Sequence, residues 1–263
     1  MAAGIKIWNR FYEDYLMPSR LNEYEDLLVF ALDHGYQHLT LCAHFDNIHA
    51  ERQKDDTLNF IHRHDIDSDC KTARKMWEIE VKHGVKSSFY FRLSTLDFGL
   101  MKEIHASGSE VGYHYEELAQ YAKDFRIRDK QILEKKIPEI RQRFQTNLKQ
   151  FESGCGFPIL SVASHGDFVN RKLGIANHAI MNDTFLEACG LRFEAYNKKL
   201  IHSLDSIMSD TVYPLFYKPL NPFDEISKKI KTLYLLTHPR HWNKSIKANT
   251  RENWIRFIEG LRF

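Results

Sequence analysis

His62-Arg63-His64-Asp65-Ile66-Asp67 is the stretch on which the reading of this chain turns. It follows Leu58-Asn59-Phe60-Ile61, an apolar and aromatic run with the pattern of a buried strand. It precedes residues 71–83, whose apolar positions recur at helical spacing. Acidic and imidazole groups therefore crowd where a strand gives way to a helix, the place where α/β barrels and open α/β sheets keep their chemistry. Asp65 and Asp67 stand two apart, so in extended geometry both carboxylates point to one side. Two like charges that close are costly unless a cation lies between them or one holds a proton. The plainer alternative is a solvated Asp-rich turn that caps the next helix.

Outward from this stretch the chain alternates helix and strand. Residues 21–34 carry Leu27, Leu28, Phe30, Ala31 and Leu32 at helical spacing, and Gly35 ends them as a C-cap. Strands are expected over 37–43, 58–63, 86–93, 110–114, 159–164 and 232–237. Helices are expected over 71–83, 97–106 and 250–261, with a long charged helix over 126–151 that Pro138 kinks or splits. Residues 170–222 are the least periodic. No linker composition or internal repeat is visible. Strands alternating with helices argue for a mostly parallel sheet or a β/α barrel. The expectation is one domain over residues 1–263, a single distorted (β/α) barrel of about seven strands.

The ends of those strands carry a pattern: Asp65 and Asp67, then His114, then His165, then His238. In a closed barrel these ends share one rim. One carboxylate with two imidazoles is a common ligand set for zinc and its neighbours. A further Asp and a further His would then serve as base and acid in metal-assisted hydrolysis. Each His alone, in a chain with 14 of them, is more simply read as a hydrogen-bonded core or surface residue. Four strand ends bearing His or Asp make the joint reading the sharper one.

Composition narrows the classes. A chain of 263 residues that is 43% hydrophobic can fill a substantial core, and a formal charge of +2 offers no basic field for nucleic acid. Cys42, Cys70, Cys155 and Cys189 form no C-x-x-C pair, so neither a zinc knuckle nor a redox motif is indicated. Scattered thiols fit a reducing compartment. The first residues lack the apolar core of a signal peptide, and no segment approaches the roughly 20 apolar residues of a membrane span. A cytoplasmic location is expected, with no membrane span.

The arrangement resembles the polysaccharide deacetylase family, carbohydrate esterase family 4. Its first motif, Thr-Phe-Asp-Asp-Gly, ends a strand. Arg63-His64-Asp65-Ile66-Asp67 is similar to a divergent branch with His-Asp-Val-Asp there. The second motif, Gly-His-Glu-Ile-Gly-x-His, is matched by Gly108-Ser109-Glu110-Val111-Gly112-Tyr113-His114. The second His expected four residues on is Leu118 here. The third motif carries an Arg that orients the base, and Ser164-His165-Gly166-Asp167 stands in that place without one. The last motif, Leu-x-Leu-His, is approached by Leu235-Leu236-Thr237-His238. The likeness spans roughly residues 20–245.

The resemblance implies a metal-dependent hydrolase that removes an acetyl group from an N- or O-acetylated sugar. Asp65 would be the base and His238 the acid. Asp67 and His114 would bind one divalent metal ion, with His165 the third ligand and Glu117 the reserve. Zinc is the first choice; the family also uses cobalt, nickel or iron. The partner would be a small-molecule or glycan substrate, and the expected location favours a surface-polysaccharide or glycan precursor. Two alternatives stand beside this: hydrolysis of a non-sugar C–N bond such as a cyclic amide, and a degenerate barrel that binds carbohydrate without turnover. The sequence does not specify the oligomeric state.

Overall fold

Helices and strands alternate along the chain in the computed structural model, which describes residues 8–50 and 57–263. After a short π-helical turn at Tyr12–Leu16, α1 (Leu21–Asp33) leads into β1 (Gln37–Leu39), α2 (Leu41–His49) and β2 (Asn59–Ile66). Then come α3 (Cys70–Lys82), β3 (Ser88–Phe91), α4 (Phe98–Ala106) and β4 (Glu110–Tyr115). The helices α5 (Glu117–Asp124), α6 (Lys130–Lys135) and α7 (Ile137–Cys155) separate β4 from β5 (Ser161–Ser164). Short elements follow: α8 (Phe168–Leu173), α9 (Asp183–Ala188), β6 (Phe193–Glu194), α10 (Lys198–His202), β7 (Ser206–Asp210) and β8 (Tyr217–Lys218). The last are α11 (Pro222–Ser227), β9 (Thr232–Thr237) and α12 (Ile246–Arg262).

All nine strands belong to one sheet, ordered β6-β5-β4-β3-β2-β9-β7-β8, with β1 also paired to β2. Every pairing is parallel except β7 with β8. The middle strand β2 is fully buried. One of its edges takes β9 at residues 59–64, and the other takes β1 at 59–61 and β3 at 63–66.

The sheet curls. Ile61, Tyr90, Ala163, Phe193 and Tyr234, from β2, β3, β5, β6 and β9, form one buried cluster with Leu41, Cys42 and Leu200. Strands as far apart in the order as β6 and β9 share that cluster only if the sheet bends round on itself. The outward residues pack against helices instead. Phe60, Leu233 and Leu235 meet Leu27 and Ala31 of α1. Phe89, Val111, Tyr113 and Val162 meet Leu100, Phe144 and Phe151. Fully burying one such side chain stabilises the fold by about 1.5–3 kcal/mol. The sheet is thus wound as a β/α barrel left open, with no ladder joining β6 to β8 among the described residues. Beside that gap α2 lays Phe45 on Phe193, ring centroids 4.4 Å apart.

Winding this tight restricts the inner face. A Cβ at Gly112 would lie 2.3 Å from Tyr90 Cε1 and 3.0 Å from the Ser161 carbonyl. Only glycine lets the Tyr90 ring cross β4 at that point.

Two sequence expectations need correction. The strand expected over 37–43 stops at Leu39, and α2 begins at Leu41, because Thr40 Oγ1 accepts from the Ala43 N–H at 3.1 Å and caps a helix. The sheet has nine strands rather than about seven, since β6 and β8 contain two residues each and leave no periodic signal. The long helix expected over 126–151 is split, one of the two outcomes expected of Pro138, which lies in the first turn of α7. The four cysteines are free thiols. No helix of the described residues is long and apolar enough to cross a membrane.

Candidate metal centre and its flanking acid and base

Pleating sends alternate residues of β2 to opposite faces. Ile61, Arg63 and Asp65 face the concave side, and Asp67 follows just past the strand end. Arg63 is fully buried. Its Nε donates to Asp65 Oδ1 at 2.7 Å and its Nη2 to Asp65 Oδ2 at 2.8 Å. Nη1 donates to the Tyr234 hydroxyl at 3.2 Å, and the rings of Tyr196 and Tyr90 lie 5.0 and 5.3 Å from the guanidinium carbon. Burial alone would push the Asp65 carboxyl up. The Arg63 charge, with His114 and His238, outweighs it and holds Asp65 below the usual range. The carboxylate is thereby ionised and fixed in orientation.

Asp67, His114 and His165 converge at the rim. His114 Nε2 lies 3.4 Å from Asp67 Oδ1, and His165 Nε2 lies 3.6 Å from the same oxygen. One donor atom from each of the three falls within 4.8 Å of the others. The far sides of both rings are engaged. His114 Nδ1 donates to the Ala163 carbonyl at 2.9 Å, and His165 Nδ1 donates to Glu116 Oε2 at 3.1 Å. A carbonyl and a carboxylate only accept, so both Nδ1 atoms carry hydrogen and it is Nε2 of each ring that is turned inward. Asp67 Oδ1 is buried and has no hydrogen-bond partner among the described residues.

Three lone pairs aimed at one point repel unless a cation or added protons lie among them. Ligands about 2.0–2.1 Å from a tetrahedral ion stand roughly 3.3 Å apart, close to the spacings here. The donor set, one carboxylate and two imidazoles with fixed tautomers, fits a divalent metal.

The shell behind these residues is charged and ordered. Arg92 Nη2 donates to both oxygens of Glu116 at 2.8 Å, and Arg92 Nη1 donates to the Asp67 carbonyl at 3.1 Å. Burial opposes ionisation of Glu116, but its hydrogen bond from His165 and the Arg92 charge hold it far below the usual carboxylate range.

His238 follows β9 and meets Asp210 at the end of β7. Its Nδ1 donates to Asp210 Oδ1 at 2.7 Å, and its backbone N–H donates to Oδ2 at 2.6 Å. Trp242 Nε1 also donates to Oδ2, at 3.0 Å. Burial would lower the imidazole pKa. The Asp210 charge and hydrogen bond, with Asp67 and Asp65 nearby, raise it to about 9. At neutral pH His238 is an imidazolium whose Nε2–H is its free proton. Beside it His241 bonds Glu13, and Arg240 bonds Asp14 at 2.7 Å. The turn at Tyr12–Leu16 is thus tied to this edge of the rim.

The rim therefore brings together Asp65, Asp67, His114, His165 and His238. Glu117, the reserve ligand, is placed elsewhere. It accepts from Asn147 Nδ2 at 2.9 Å and from the Tyr113 hydroxyl, on the helix side of β4. Pleat parity explains this: Tyr113 and Tyr115 face outward, so His114 and Glu116 face the rim. Sequence reasoning missed Arg63, Arg92 and Glu116, and left Asp210 unassigned. Arg63 had a signal, since it lies two residues before Asp65 on one strand. It gives Asp65 a guanidinium partner, whereas the third motif offers no Arg.

No family model matches the chain, and no curated protein matches it. Among solved structures, IcaB from Ammonifex degensii is 16% identical with a TM-score of 0.47, covering 66% of this chain and 74% of that one. The deacetylase PplD from Streptococcus pyogenes, in complex with acetate, is 13% identical with a TM-score of 0.42, covering 83% of each chain. A CE4 family pseudoenzyme from Bacillus anthracis is 13% identical with a TM-score of 0.40, covering 77% of this chain and 60% of that one.

Proposed function

We propose that the chain is a divalent-metal-dependent hydrolase that removes an acetyl group from an N- or O-acetylated sugar of a glycan precursor. The observation that carries this reading is the bare Asp67 oxygen faced by two imidazole Nε2 atoms of fixed tautomer. An ionised carboxylate, Asp65, and an imidazolium, His238, lie at the same rim. Asp67, His114 and His165 would hold the ion. When bound, it would supply electrophilic activation of the acyl carbonyl and of water.

The chain's own groups move the protons. Asp65, kept ionised by Arg63, accepts one proton from the attacking water. The water oxygen bonds to the acyl carbon. As the carbon–nitrogen or carbon–oxygen bond breaks, His238 gives its Nε2 proton to the leaving atom, while Nδ1 stays bonded to Asp210. Acid and base are separate residues, so neither has to change role within one turnover.

Asp67 also lines a 540 Å³ cleft formed with the loops after β2 and β3 and with α12. Lys71, Lys247 and Arg251 line it without an ion-pair partner among the described residues, whereas the other carboxylates of its lining are engaged, Asp69 by Thr72, Asp97 by the Leu100 N–H and Glu252 by Arg256. Three free cations beside the reacting centre suit an acetylated sugar that carries phosphate, such as a nucleotide-linked or lipid-linked precursor.

Acetate release from a panel of neutral and phosphorylated N- and O-acetyl sugars tests the reading. Zinc-loaded protein should release acetate, and chelation should abolish it. Lys247→Gln with Arg251→Gln should raise KM for the phosphorylated members and leave the neutral ones unchanged. Metal-loaded protein that releases acetate from none of them refutes the deacetylase assignment.

A further inference from the structure

The outward face of β2 carries a second cluster that the catalytic reading does not use. His62 and His64 point away from the rim, toward α1 and α3, and meet Glu80 of α3 and Tyr24 of α1. All four are completely buried. His64 Nε2 lies 2.8 Å from Glu80 Oε1, and the Tyr24 hydroxyl donates to that oxygen at 2.5 Å. A donor atom from each of His62, His64 and Glu80 falls within 4.8 Å of the others. The groups behind them are again anchored. Glu80 Oε2 accepts from Ser87 Oγ at 2.6 Å, and His64 Nδ1 bonds Thr237 Oγ1 at 2.6 Å.

His62 is the residue that needs an explanation. Neither ring nitrogen has a hydrogen-bond partner among the described residues. Its ring lies against Phe60 at 4.0 Å between centroids and near His38 at 5.2 Å. Burial first, then the nearby imidazoles of His38 and His64, keeps it neutral. A buried polar group left unpaired costs about 1–3 kcal/mol. A proton shared between His64 and Glu80 satisfies those two and leaves His62 bare. A divalent cation satisfies all three at once.

We infer that His62, His64 and Glu80 form a second, closed metal site, which takes a zinc-type ion and joins β2 to α3. Two imidazoles and a carboxylate suit zinc, and a site with no solvent path has the character of a structural rather than a catalytic centre. Tyr24 lies within reach as a fourth oxygen. The ion would be taken up as the chain folds, because α1 and α3 close over it.

Zinc per chain tests this in protein purified with zinc present and freed of loose ion by gel filtration. The expected content is two per chain in the parent and one in Asp67→Ala/His114→Ala. Adding His62→Leu and Glu80→Gln to that variant should bring it to zero. If the added changes prevent folding, the Asp67→Ala/His114→Ala variant decides alone, and zero zinc there overturns the inference. So does one zinc that survives loss of His62 and Glu80. A parent with one zinc, unaffected by Asp67→Ala/His114→Ala and lost with His62→Leu/Glu80→Gln, supports this site and refutes the rim centre. A water molecule in place of the ion gives one zinc in the parent and none without Asp67 and His114, which also overturns the inference.

Discussion

Replacing Arg63 by Met tests the electrostatics on which the proposed base depends. The substitution keeps most of the side-chain volume but removes a buried cation and both of its bonds to Asp65. Breaking one member of a buried ion pair costs about 3–5 kcal/mol, because the remaining charge stays desolvated. Native domains are stable by about 5–15 kcal/mol, so the variant should fold with a much lower urea midpoint. The pH dependence identifies the cause. In the parent, Asp65 is held below its unfolded value, so it stabilises above that value and the contribution is lost as pH falls through the folded pKa. In Arg63→Met, burial acts unopposed by the guanidinium and raises the folded pKa. Asp65 then destabilises at high pH and recovers as it protonates on acidification. The stability gap between parent and variant should therefore be wider at pH 8 than at pH 5 in metal-free protein. Adding Asp65→Asn should restore part of the loss, because no charge is left to bury. The measurement is urea unfolding of the four proteins of the cycle at both pH values. A gap that does not change with pH, with no rescue by Asp65→Asn, refutes the claim that this pair is an electrostatic unit.

Three further variants test the same geometry. Asp210→Asn removes the charge that raises His238, so the alkaline limb of kcat/KM on amide substrates should move to lower pH. In metal-free protein the stabilisation from His238 is complete below its unfolded pKa near 6.5 and lost as pH rises through about 9, so the parent's advantage over Asp210→Asn should shrink between pH 6 and pH 10. Glu116→Gln weakens the carboxylate that receives His165 Nδ1–H, and metal affinity measured by competition with a chromophoric chelator should fall about 10–100-fold. Gly112→Ala drives a methyl group into the Tyr90 ring, and thermal unfolding should report a loss of about 1–3 kcal/mol or more.

Much of the rim was legible because it obeys period two and strand ends. Asp67 and His165 each follow a strand, His114 lies near the end of one, and the structure brings the three together. What escaped the sequence did so for physical reasons. Glu117, the reserve ligand, was suggested by motif spacing, whereas the alternation of β4 turns Glu116 to the rim. An Arg was sought after β5, while the guanidinium comes from inside β2, where a buried charge looks like an interruption of an apolar strand. Asp210 ends a strand within residues 170–222, where elements of two to six residues give no repeat to read. The open seam depends on pairings between distant strands, and local pattern does not encode them.

The ion pair of Arg63 and Asp65 has one more consequence. The orienting cation Arg63, the proposed base Asp65 and the first of the three converging carboxylate and imidazole groups, Asp67, occupy alternate positions of five consecutive residues. Their mutual geometry is set by covalent linkage and pleat, not by the docking of separate loops. Changes in the loops after β4, β5 and β9 can alter what the rim presents without turning Asp65. A one-residue insertion or deletion within β2 would exchange its two faces, sending Arg63 and Asp65 into the helix layer and the two imidazoles toward the rim. Loop variation and strand integrity are thus separable in this protein: the first can retune the site, and the second decides whether there is one.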